Sequence, residues 1–60
     1  MEKPGYDYNY SQYGKNKASV TVTAKNGYLC AFHTTEWRDG EPFSECVKRL
    51  QAKLAKCGLY

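Results

Sequence analysis

The sequence predicts an α+β domain: a β-hairpin followed by one amphipathic helix (ββα). Two observations give the hairpin. Ser19-Val20-Thr21-Val22-Thr23-Ala24 is β-branched and alternates polar with apolar residues, and Tyr28-Leu29-Cys30-Ala31-Phe32-His33-Thr34-Thr35 follows after Lys25-Asn26-Gly27. A third gives the helix, since Phe43, Cys46, Val47, Leu50, Leu54 and Cys57 recur at helical spacing and form one apolar stripe.

In chain order, residues 1–17 form a Tyr-, Lys- and Asn-rich arm broken by Pro4, Gly5 and Gly14. Tyr6, Tyr8 and Tyr10 alternate with Asp7 and Asn9, which places the three rings on one side of an extended backbone. The arm is either an N-terminal edge strand on the hairpin or a flexible segment that orders on a partner. Residues 18–60 form the hairpin–helix domain, with strands about 19–24 and 28–35 and a helix about 42–57.

Two hairpin registers compete. A two-residue Asn26-Gly27 turn pairs Thr23 with Cys30 and Thr21 with Phe32, so Val20 and Val22 share a face with Leu29, Ala31 and His33. A three-residue Lys25-Asn26-Gly27 loop with a bulge at Gly27 pairs Val22 with Cys30 and Val20 with Phe32. The second is preferred here, because burying Phe32 with the valines removes more apolar area from water and leaves His33 wet. It puts Cys30 and Phe32 in the core and Thr21, Thr23, Leu29, Ala31 and His33 outside.

Trp37-Arg38-Asp39-Gly40-Glu41-Pro42 connects hairpin to helix. Pro42 suits the first helical position, where its missing N–H costs nothing, with Glu41 near the N-cap. Gly58 suits the position after the last turn, with Leu59 folding back. Neither element can bury its apolar face alone, so helix packs on hairpin.

Sixty residues make one domain, which buries only about 60% of the surface its unfolded chain exposes. With two strands the sheet is minimal, and the tyrosine arm or a second subunit would strengthen it. The longest apolar runs are far short of the roughly 18 residues of a membrane span, and the N-terminus has no apolar run resembling a signal peptide. Three cysteines cannot all pair within the chain. These features lead to the expectation of a cytoplasmic protein with reduced thiols and no membrane contact.

Cys30, His33, Cys46 and Cys57 are the candidate metal ligands, but no metal is expected. Cys46 and Cys57 lie about 16 Å apart along the helix, and Cys30 and His33 point to opposite faces of a regular strand. The same alternation separates Cys30 from His33 as a catalytic pair. Glu36, Asp39, Glu41 and Glu45 cluster where a helix dipole favours acids. The expectation is therefore a non-enzymatic chain with no cofactor.

Two binding functions remain. The preferred one is a protein-interaction module, a regulator or adaptor of a larger protein or complex, or a homodimer. Its contact residues would be the nearly neutral outer face (Leu29, Ala31, His33), Trp37, and the tyrosines Tyr6, Tyr8 and Tyr10. Trp37 serves as an anchor if exposed and otherwise lids the core. The alternative is a small nucleic-acid-binding accessory protein. Arg49, Lys53 and Lys56 line one helix flank at i, i+4, i+7, with Lys48 beyond them, and Lys15, Lys17 and Lys25 lie in the arm and loop. A net charge of +3 is small for a dedicated nucleic-acid binder, which favours the first reading.

Overall fold

The computed structural model describes residues 2–27 and 30–60, and of Cys30 the backbone only. Three antiparallel strands in the order β1-β2-β3 precede one helix: β1 Tyr6–Tyr13, β2 Lys17–Ala24, β3 Cys30–Glu36 and α1 Phe43–Lys56. The fold is α+β, with three strands rather than a two-stranded hairpin. The third is the tyrosine segment, which runs eight residues along β2 from Tyr6↔Ala24 to Tyr13↔Lys17. The strand expected at Tyr28 and Leu29 lies outside the described residues.

The β2–β3 register corrects the preferred expectation. Thr23 pairs with Cys30, Thr21 with Phe32, Val22 with Ala31 and Val20 with His33, which is the pairing of the two-residue loop. The turn itself is closed by Gly27 N–H donating to Ala24 O at 2.8 Å, with Gly27 at φ 84°. Ala31 and His33 therefore lie on the face of Val20 and Val22, and Phe32 lies on the opposite face, 52% exposed. The physical reason is that the apolar area Phe32 was expected to supply comes from elsewhere. Tyr6, Tyr8 and Tyr10 pair with Ala24, Val22 and Val20 and pack against the core, while small Ala31 leaves room for α1 beside β3.

The core is one layer between sheet and helix. Ala18, Val20 and Val22 of the central strand meet Cys46, Leu50 and Leu54 of α1, all fully buried. Trp37 and Phe43 close one end of this layer, and Leu59 and Tyr60 pack against it as well. Because one face of the sheet is covered by one helix, the other face is open.

The helix begins one residue later than expected. Pro42 is the cap residue, in extended conformation at ψ 143°, and makes no side-chain cap bond. At the C-terminal end Gly58 adopts φ 79°, Leu59 N–H donates to Leu54 O at 2.9 Å and Gly58 N–H to Ala55 O at 3.1 Å. These two bonds satisfy carbonyls that the last turn leaves open, and only glycine takes that backbone angle without strain. No helix among the described residues is long and apolar enough to cross a membrane.

Candidate functional site

Strand alternation assigns the open face. From β1 it carries Asp7, Asn9, Ser11 and Tyr13; from β2, Lys17, Ser19, Thr21 and Thr23; from β3, Phe32, Thr34 and Glu36. Two aromatic rings stand on it. Tyr13 and Phe32 are 50% and 52% exposed, and their centroids are 5.5 Å apart in an edge-on arrangement across the central strand. Beneath them Ser19 is buried, sharing a hydrogen bond with the Ser11 hydroxyl at 3.1 Å and donating to Ser11 O. The surrounding surface is hydroxyl-rich. Its charges are Asp7 and Glu36 against Lys17, so it is close to neutral.

The residues expected to bind protein are placed differently. Ala31 and His33 are half-buried on the helix side, where the preferred register had placed them outside, and Tyr6, Tyr8 and Tyr10 are half-buried on that same side. The register and the third strand put them there. The Tyr8 hydroxyl donates to Leu59 O and accepts from Lys3 N–H at 2.9 Å, while Gln51 Nε2 donates to the Tyr10 hydroxyl at 3.5 Å. Leu29 lies outside the described residues. Trp37 is half-buried and acts as the lid: its indole N–H donates to Glu41 O at 2.9 Å and its ring meets Phe43 edge-on at 5.3 Å.

The basic helix flank is occupied by the protein itself. Arg49 holds Glu41 with two bonds, Nη1 to Oε2 at 2.6 Å and Nη2 to Oε1 at 2.7 Å, and also donates to Glu36 O at 2.5 Å and to Thr35 Oγ1 at 3.3 Å. Lys53 Nζ donates to Thr34 O at 2.6 Å, and Lys48 lies 3.6 Å from Glu45. The Arg49 guanidinium holds the Glu41 carboxyl down at about 2, and Arg49 is in turn held further into its charged form by Glu41. Lys56, Lys15, Lys17 and Lys25 are exposed but do not form one patch. Lys17 and Lys25 flank opposite ends of β2, about 26 Å apart at strand rise.

The thiols also separate. Cys46 is buried, 3.4 Å from Glu41 Oε1 and 3.5 Å from Arg49 Nη2, and burial followed by the neighbouring Glu41 pushes its thiol pKa up. Cys57 is exposed, with Sγ 4.0 Å from His33 Nε2, an approach made possible because His33 faces the helix. Whether Cys30 could join them falls outside the described side chains.

Sequence reasoning passed over Tyr13 and Phe32 as a pair. The signal was present in the Asn26-Gly27 register, which puts Phe32 opposite Thr21 on the outer face. Comparison with protein-family models, with curated proteins and with solved structures finds no match for this chain.

Proposed function

We propose that the chain is a small non-enzymatic protein-binding module, an adaptor or regulator of a larger protein, whose contact surface is the open face of the sheet. The observation that carries this reading is the Tyr13–Phe32 ring pair, two half-exposed aromatics in contact across the central strand on a near-neutral, hydroxyl-bearing surface. Interface centres are enriched in aromatic side chains and depleted of charge, with a polar rim. The occupant that fits is a protein surface presenting apolar side chains to the rings and hydrogen-bonding groups to Thr21, Thr23, Thr34 and Asn9. A polyanion does not suit this face, which carries two carboxylates and one ammonium group. The best-placed cations, Arg49 and Lys53, hold the protein's own β3.

The test is capture of partners from source-cell extract by the wild-type chain, by Phe32→Thr and by Lys56→Glu. A partner retained by the wild type and by Lys56→Glu but lost with Phe32→Thr supports the reading. The opposite pattern refutes it, as does micromolar oligonucleotide binding whose logarithm falls steeply with that of salt concentration.

A further inference from the structure

The two edges of the sheet are treated differently by the rest of the chain. Hydrogen-bonded pairs alternate in an antiparallel ladder, and bonds just beyond the strand ends fix which pairs they are. Trp37 N–H donates to Asn16 O at 2.8 Å, so His33, Ala31 and Thr35 turn their backbone groups toward β2, and Phe32, Thr34 and Glu36 turn theirs outward. That outer edge is partly occupied by the helix: Thr34 O accepts from Lys53 and Glu36 O accepts from Arg49. At the other edge, Lys25 N–H donates to Gly5 O at 2.9 Å, so Asp7, Asn9 and Ser11 face β2. The N–H and C=O groups of Tyr6, Tyr8, Tyr10 and Gln12 therefore point away from the sheet. The helix packs chiefly over β2 and β3, and among the described residues no backbone hydrogen bond outside the β1–β2 ladder takes up these groups.

An open edge of seven or eight residues is a template for another strand, and proteins that stay monomeric blunt such edges with lysine, proline or a covering element. From Tyr6 to Tyr13, β1 has no Lys, no Pro and one charge, Asp7. We propose that β1 pairs with β1 of a second copy of this chain, antiparallel about a two-fold axis at Asn9, to give one continuous six-stranded sheet. This does not depend on the open face binding a partner.

The sequence of β1 is self-complementary in this register. Tyr6 pairs with Gln12 of the second copy and Tyr8 with Tyr10, so all four outward residues of each copy meet outward residues of the other. Each pair exchanges two backbone bonds. On the helix side the half-buried tyrosine rows meet and cover one another, and aromatic cross-strand pairs are favourable there. On the open side Asp7 faces Ser11 of the second copy and Asn9 faces Asn9, so no like charges oppose. A register centred on Asp7 would set carboxylate against carboxylate. A two-fold axis normal to the sheet also keeps both helices on one face, which is the isologous arrangement of most small homodimers.

The experiment is sedimentation velocity of the full chain over a wide concentration range, with amide hydrogen exchange at both ends of that range. A monomer–dimer equilibrium is expected, with protection of the Tyr6, Tyr8, Tyr10 and Gln12 amides rising with concentration. Gln12→Pro removes an outward N–H without breaking the β1–β2 ladder, and Asn9→Lys sets two ammonium groups face to face at the axis. Each should raise the dimer dissociation constant at least about tenfold. Phe32→Thr should leave it unchanged. A chain that stays monomeric throughout overturns the proposal. So does a dimer abolished by Phe32→Thr, or one formed without protection of those four amides. Should Gln12→Pro fail to fold, Asn9→Lys at its exposed site and the exchange pattern decide alone.

Discussion

Phe32→Thr separates the observed register from its rival by energy alone. Phe32 is 52% exposed, so a little under half of its surface is out of water, mostly against Tyr13 and the strand beneath. A phenylalanine side chain of ~200 Å² then contributes ~90 Å² of burial, or about 2 kcal/mol at 25 cal/mol per Å². Threonine keeps the β-carbon, a methyl group and the strand preference, so the net loss is about 1 kcal/mol. For 60 residues the unfolding entropy is ~0.13 kcal/mol/K, and this loss lowers Tm by about 8 °C. Had Phe32 lain under the helix, the cost would be that of a large core truncation, about 3–5 kcal/mol, against a total stability of ~3–9 kcal/mol. Thermal and urea unfolding followed by circular dichroism should show a cooperative Phe32→Thr transition moderately below wild type. Leu50→Ala, at a fully buried site, should lose about 2–5 kcal/mol, well beyond the Phe32→Thr loss. Equal losses for the two variants would refute the placement of Phe32.

Three further outcomes follow from other contacts. Glu41 titrates at about 2 in the folded chain because Arg49 holds its carboxylate, so its contribution is present above the ordinary carboxylate range and fades as pH falls toward 2. Glu41→Gln should accordingly be less stable than wild type at neutral pH and match it near pH 2; a gap independent of pH in urea titrations would refute this. Alkylation followed by peptide mapping should modify Cys57 rapidly and Cys46 only under unfolding conditions, and equal rates would contradict the buried position of Cys46. Gly58→Ala should cost about 1 kcal/mol or slightly more, read from the urea midpoint, because alanine at φ 79° is strained; no loss would mean that the last turn ends some other way.

Much of the architecture could be read from residue spacing. The helix stripe, the Gly58 stop and the β-branched central strand each rest on a local signal that tertiary context reinforces. The sheet's third strand was harder, because Tyr6, Tyr8 and Tyr10 alternate equally well in a strand and in an unpaired arm. The local signal that favours the strand is the turn at Gly14, with φ 66°, which lets the tyrosine segment fold back along β2. The register went to the alternative because the area argument counted two strands and one helix. It lacked the tyrosines, which supply apolar area beside Val20 and Val22 and release Phe32 to the other face. The candidate contact surface moved with it, since one residue of slip exchanges every inward side chain for an outward one. The internal use of Arg49 and Lys53 had no sequence signal, because a basic flank facing solvent and one bridging to strand carbonyls have the same spacing.

The bond from the Tyr8 hydroxyl to Leu59 O joins the first strand to the residues after the last helical turn, and the Tyr8 and Tyr60 rings meet edge-on beside it at 5.7 Å. A segment ending before the helix would lack one side of the core, and a segment lacking β1 would expose Leu59 and Tyr60. Each end of the chain thus completes the packing of the other. The amides of the central strand and of the mid-helix should then exchange through a single global opening, so the small size of the domain leaves no stable substructure to survive when either end is released.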